Sequence, residues 1–334
     1  MSNQKFIFLI FLYIFLNNLI GYGQNASSQN YFLKDENYQA SKSQLLKLYN
    51  EDKADHQTAY YLGRIAMIEK AYDQAVEYFQ HASELQQQNS KYHFWLGRAY
   101  GVQAMKANIF KKAILAGRVK AEMEKAVELD PENIEARKNL LQFYAMAPGV
   151  MGGSEEKALA QADEIKKRNE VEGILALGQI YLMKKNYAEA EKVYLEGLQK
   201  NNQYEQLYGM LALTYHRKNE IPKAFETLEK LIAIKPDYMN SYAQIGLLSA
   251  STGQQLELGI TCLNKYLSLY AKNPEQGQYS KAWAYHQLGI IYEEQGQKDQ
   301  AKETYQLALE SDSDYKPAKK ALERIKKNAP NQQK

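Results

Sequence analysis

The chain has 334 residues, 45% of them apolar, with 42 Lys and Arg against 39 Asp and Glu, a formal net charge of +3. That content is enough to bury a core, and so even a charge balance argues against a nucleic-acid-binding protein. The single cysteine excludes an intrachain disulfide. Cys262 lies in a helical apolar pattern with Ile260, Leu263 and Tyr266 and reads as a buried small hydrophobe, not a reactive thiol.

Residues 1–23 stand apart from the rest. Lys5 precedes an unbroken apolar run from Phe6 to Leu16, then come Asn17-Asn18, Leu19-Ile20 and small residues at Gly21 and Gly23. This pattern predicts a secretory signal peptide cleaved after Gly23. The alternative is a retained anchor. The unbroken run falls short of the roughly 20 residues that span a bilayer, and extension through Ile20 narrows the gap. No cysteine follows the leader, which excludes lipid attachment of the bacterial lipoprotein type, and Asn25-Ala26-Ser27 fits a glycosylation sequon. Residues 24–55 read as a disordered linker followed by a capping helix over Asn37 to Tyr49, with Leu45, Leu46 and Leu48.

From there the pattern is helical and periodic. Leu62-Gly63 and Leu96-Gly97 are 34 residues apart, as are Leu177-Gly178, Leu211-Ala212 and Ile245-Gly246 in turn. In the first repeat, Gly63 and Ala66 on one helix and Ala75, Phe79 and Ala82 on the next supply small residues for close approach and a large one to fill the wedge. Repeats fall near 56–89, 90–133, 134–170, 171–204, 205–238, 239–281 and 282–315, followed by a capping helix and basic tail over 316–334. The second is ten residues too long, with the surplus inside Ala104 to Lys120, still helical, which predicts longer arms. In the third, Ala147-Pro148-Gly149 through Gly152-Gly153 predicts a turn, with Ser154 capping the next helix and Glu155 and Glu156 in its first turn. In the sixth, the loop Lys272 to Ser280 follows a shifted second helix. The tail carries seven Lys or Arg against Glu323 alone.

The pattern Leu-Gly, Tyr, Ala, aromatic, Ala, with Pro at the end, resembles the tetratricopeptide repeat family over roughly residues 56–327. Leu177, Gly178, Tyr181, Ala190 and Tyr194 carry it in the fourth repeat; Tyr208, Leu211, Tyr215, Ala224 and Pro236 in the fifth; Tyr285, Leu288, Gly289, Tyr292, Ala301, Tyr305 and Ala308 in the last. The long second repeat and the Pro-Gly turn after it resemble secreted bacterial members. The resemblance implies an all-α fold: a right-handed α-solenoid of antiparallel helix pairs, about seven repeats with helical caps. It also implies a non-catalytic scaffold in the periplasm or cell envelope of a bacterium, holding a protein or extended peptide in its concave groove. The alternative is an envelope-anchored subunit that captures a glycan or another small anionic ligand.

No catalytic, cofactor or metal constellation is legible. His56, His81, His93, His216 and His286 fall in different repeats, and Gly152-Gly153-Ser154 lacks the Gly-Lys-Ser/Thr ending of a nucleotide loop. In the family, the position after Leu-Gly and the position four earlier face the groove. Here these are Arg64 with Tyr60, and Arg98 with Phe94; Lys91 and Lys138 are expected nearby. The six form a candidate basic, aromatic-flanked strip for an acidic segment; packing and local ion pairs are the competing reading. Members that clamp chaperone C-termini place Lys and Asn at the two groove positions, and this chain does not. Later equivalents turn apolar or small: Leu175 with Gln179, Gly209 with Leu213, Ala243 with Leu247. Residues 104–125 carry six basic against two acidic side chains beside Ile109, Phe110, Ile114 and Leu115. Such a helix either packs on its own protein or touches a membrane, as would a retained leader.

Overall fold

The computed structural model describes residues 38–327. The leader, the sequon at Asn25 and the last seven residues of the tail lie outside them. The described residues form sixteen α-helices and two short 3-10 turns, packed as consecutive antiparallel pairs, as the resemblance implied. They divide into two compact units that meet in sequence between Asn186 and Tyr187.

The first unit contains α1 (Tyr38–Glu51), α2 (His56–Ile68), α3 (Tyr72–Leu85), α4 (Ser90–Lys106), α5 (Ile109–Leu129), α6 (Ile134–Met146), α7 (Glu155–Arg168) and α8 (Glu170–Met183). Each packs on the next, and α6 also meets α8. The helix starts are written in side chains. Asp55 accepts hydrogen bonds from the backbone N–H groups of Gln57 and Thr58, and Asn89, Asn108, Asn133, Ser154 and Asn169 cap α4 to α8 in the same way. Each such cap satisfies a donor that the helix itself leaves open. In α7, Glu155 and Glu156 open the helix and Lys166, Lys167 and Arg168 close it, charges that match its dipole at both ends.

What sets the distance between the helices of a pair is a missing side chain. A Cβ on Gly63 would meet the Phe79 ring at 2.6 Å. Phe79 is fully buried, with Ala59, Ala75 and Ala82 beside it and the rings of Tyr60 and Trp95 each 5.9 Å away. In the long second repeat the same role falls to Gly97, whose nearest neighbour across the pair is Met123. Gly63 and Phe79 are 16 residues apart, Gly97 and Met123 are 26. The ten extra residues therefore leave the packed seam in register and lengthen the far end of the pair. α4 has 17 residues where α2 has 13, and α5 has 21 where α3 has 14. The extensions reach about 6 and 10 Å past the ordinary turn at 1.5 Å per residue.

The Pro148 turn is a 3-10 segment, Gly149–Met151, packed against α5. Gly152 has φ +94°, and a Cβ on Gly153 would lie 1.7 Å from the Ala147 carbonyl oxygen, so both positions require glycine.

The second unit contains α9 (Tyr187–Lys200), α10 (Glu205–Arg217), α11 (Ile221–Ile234), α12 (Met239–Thr252), α13 (Leu256–Lys272), α14 (Lys281–Glu294), α15 (Lys298–Ser311) and α16 (Lys316–Lys327). Gly246 stands against Leu263 and Gly289 against Tyr305, where a Cβ would come within 2.3 and 2.4 Å. The loop after α13 is pinned by Tyr266, whose hydroxyl donates to the Tyr279 carbonyl and accepts from its N–H, while the Tyr279 ring stacks on Trp283 at 3.9 Å. α16 covers the last pair with Ala318 and Ala321, and Arg324 pairs with Glu293, which also accepts from the Tyr305 hydroxyl. Cys262 is buried, which pushes its thiol up to about 12.

Two stability measurements test this packing. Gly289→Ala is expected to cost about 1–3 kcal/mol in denaturant unfolding, because the Tyr305 ring must move. Gly117→Ala, where a Cβ would meet nothing within 4 Å, is expected to stabilise α5 by up to about 1 kcal/mol. A third concerns pH. His93 places one ring nitrogen 2.7 Å from Glu122 and the other 2.9 Å from the Gln87 carbonyl, an arrangement suited to the imidazolium with both nitrogens donating. The Glu122 hydrogen bond holds its pKa above the usual histidine value. The stabilisation is thus fully present below about pH 6.5 and is lost as pH rises through the folded pKa. His93→Gln should destabilise by about 1 kcal/mol on the acid side and progressively less as pH rises; a gap that grows with pH would refute the assignment.

Candidate functional site

The first helices of successive pairs, α2, α4 and α6, bring together side chains that are far apart in sequence. Tyr60 and Arg64 are one turn apart on α2, and Arg64 donates to the Tyr60 hydroxyl at 2.8 Å. Lys91, Trp95 and Arg98 follow one face of α4 at helical spacing. The Arg64 guanidinium lies 3.9 Å from the Trp95 ring centre and that of Arg98 lies 4.5 Å from it. Lys91 sits 4.3 Å over the Tyr60 ring. Two guanidiniums and an ammonium are thus held close together by aromatic faces, whose negative quadrupoles favour a cation.

Burial divides the cluster. Tyr60 is 2% exposed and Arg98 6%, whereas Arg64, Lys91 and Trp95 are half-buried. Burial brings Arg98 down to about 10, with the nearby Arg64 charge acting in the same direction and Glu135 opposing it. The Glu135 contact is long, 3.4 Å from Arg98 Nη1, and burial raises the Glu135 pKa despite Arg98, Lys138 and Arg64 around it. Burial, and next the Arg64 charge, also lower the Lys91 pKa. Burial raises that of Tyr60, the Arg64 charge opposing. On α6, Lys138 pairs with Glu172 of α8.

Of the six residues singled out in the sequence, Tyr60, Arg64, Lys91 and Arg98 stand around Trp95. Lys138 lies at the acidic end of the strip. Phe94 packs into the core with Met123, Ala136 and Leu140, and its ring centre is 5.5 Å from the Arg98 guanidinium. The sequence reading passed over Trp95, Glu135 and Glu172. Trp95 is 34 residues after Tyr61, one position away from the groove register, and only that repeat spacing points to it.

The remaining candidates are differently placed. The N–H groups of Gly153 and Ser154 donate to the carbonyls of Pro148 and Tyr144, and Ser154 Oγ accepts from Lys157, so these donors of the turn are used within it. Among the described residues no three His, Cys, Asp or Glu side chains gather to hold a metal ion. In the first unit Leu175 is buried and Gln179 half-buried; in the second, Ala243 is buried and Gly209, Leu213 and Leu247 are partly or fully accessible. That second unit also has an open polar depression of 770 Å³ beside Asn201, Asn202, Tyr204, Glu205 and Lys235.

Residues 56–89, 205–238 and 284–315 match the family described as Tetratricopeptide repeat. No curated protein matches the chain. Among the solved structures similar to it are two repeat proteins. One is YrrB, described as a TPR protein with an unusual peptide-binding site, 20% identical, with 60% of this chain and 97% of that one covered at a TM-score of 0.39. The other is a tetratricopeptide repeat protein from Parabacteroides merdae ATCC 43184, 15% identical, with 82% and 100% covered at a TM-score of 0.46.

The division by burial sets what substitutions will do. Arg98→Ala opens a cavity and strips Glu135 of its guanidinium; about 2–3 kcal/mol of lost stability is expected, below the full cost for a buried pair because Glu135 is partly solvated. Arg64→Gln, at a half-buried position, should cost less than about 1 kcal/mol. Equal losses in urea titrations would contradict this picture.

Proposed function

We infer that this tetratricopeptide-repeat protein is a non-catalytic scaffold that holds an extended protein segment bearing carboxylates, and that its leader, residues 1–23, exports it to the periplasm or cell envelope of a bacterium. The observation that carries the binding reading is the Trp95 indole with the guanidiniums of Arg64 and Arg98 3.9 and 4.5 Å from its ring centre and Lys91 a turn away. A planar guanidinium takes a carboxylate through two parallel hydrogen bonds, and the half-buried indole beside it adds apolar surface for the stem of the same residue. Glu135, beside Arg98, and Glu172, paired with Lys138, put negative charge on the α6 side of the strip and favour a ligand whose own negative charge is confined to one end. The export reading rests on the composition of residues 1–23 alone.

Arg98 is too buried to serve as a clean probe, so Arg64 and Lys91 are the positions to change. A fluorescent peptide rich in glutamate should bind in a salt-sensitive manner, and Arg64→Gln with Lys91→Gln should weaken it at least about tenfold while helicity stays intact. Binding should fade as pH rises through the lowered Lys91 pKa, since the deprotonated amine no longer attracts an anion. Lys91→Arg should abolish that dependence. Undiminished binding by the double variant would sink the assignment. For export, cell fractionation with N-terminal sequencing should find Gln24 first in an envelope fraction; an intact cytoplasmic chain would sink that half of the reading.

A further inference from the structure

The lengthened α4–α5 pair carries an apolar surface that the other described residues leave uncovered. α5 packs inward through Leu115, Ala116, Val119 and Met123. Outward, Phe110 is 81% exposed, Ile114 64% and Ile109 62%. Phe110 and Ile114 are one turn apart on one face, with Ala113 and Gly117 exposed beside them. Lys111 and Arg118 flank this face, and Lys106 ends the neighbouring helix. Lys106 lies 4.5 Å over the Tyr72 ring and Arg118 5.4 Å from that of Tyr100. From Ala104 to Ala121 there are five basic residues and no acidic one.

We propose that the outward face of α5, Ile109 to Arg118, docks on the surface of an anionic phospholipid bilayer. Bulky apolar side chains projecting from a helix with a rim of Lys and Arg match an interface where hydrocarbon begins about 5–10 Å below a layer of phosphates. A bilayer needs no shape complementarity, only exposed apolar side chains within a basic rim, and this face supplies both. The helix lies on the membrane without crossing it; no described helix is long and apolar enough to span one. The face belongs to the arm, outside the Trp95 cluster, so docking and peptide capture are separate properties.

A local reporter tests this in the full chain. Cys262 is buried, so a polarity-sensitive dye placed at Ile114→Cys labels that position selectively. On vesicles of phosphatidylcholine mixed with phosphatidylglycerol, its emission should shift to the blue and be quenched by brominated acyl chains. On pure phosphatidylcholine, or at raised salt, the shift should largely vanish. Lys111→Glu with Arg118→Glu, checked for unchanged helicity, should weaken the apparent vesicle affinity roughly thirtyfold or more. The same dye at Leu85→Cys, an exposed apolar position at the end of α3, should not respond. No shift on anionic vesicles, an equal shift on neutral ones, or an equal response at Leu85 overturns the proposal. A shift that appears with rising protein concentration and no lipid overturns it too, and assigns the face to a second copy.

Discussion

The absence of a side chain at Gly63, Gly97, Gly246 and Gly289 lets each first helix sink onto its partner, with Phe79, Met123, Leu263 or Tyr305 filling the space the glycine leaves. A single methyl at any of these positions would intrude on that neighbour. The rest follows from that distance: which alanines are fully buried, which way the first helices turn their other face, and where the next pair must stack. Helix pairs that pack chiefly on their neighbours in sequence have little else to correct an error, so each pair must set its own geometry.

The Trp95 cluster is a consequence of that stacking. Arg64 and Lys91 lie in adjacent repeats, and neither meets an aromatic face of the other repeat until the pairs are stacked. The cluster is also uneven. Arg98 is held inside the wall, against Phe94, Trp95 and Glu135, while Arg64 and Lys91 keep part of their surface toward solvent.

The fold was legible because its signals are local and repeated. Leu-Gly pairs, Gly-to-aromatic spacing, the Ser154 cap and the Pro-Gly turn each act within one helix pair or its edge, and periodicity multiplies the first two. The strip was legible as a set of cations, because the register that buries Leu62 and Leu96 also fixes Arg64 and Arg98 on one face. Its inner organisation was not. Whether Arg98 is buried depends on side chains from several helices, and its partner Glu135 is 37 residues away. Trp95 sits one position off the pattern that identified its neighbours. The extra ten residues were visible as a surplus, but a continuous helical pattern did not say how they divide between α4 and α5. Asn108, which caps α5, marks the division.

Seven added residues in α5 turn the helix by about 700°, within about 20° of two whole revolutions. The inward seam from Met123 through Val119, Ala116 and Leu115 therefore runs straight on into the extension, and the face bearing Phe110 keeps the compass bearing it would have on a helix of ordinary length. Reach and orientation are thereby uncoupled: an arm built on this seam changes height in steps of a heptad without swinging sideways. A lineage, or an engineer, could tune how far the tip stands from the stack as one sets a telescoping rod, and any increment that is not close to whole turns would aim the tip elsewhere.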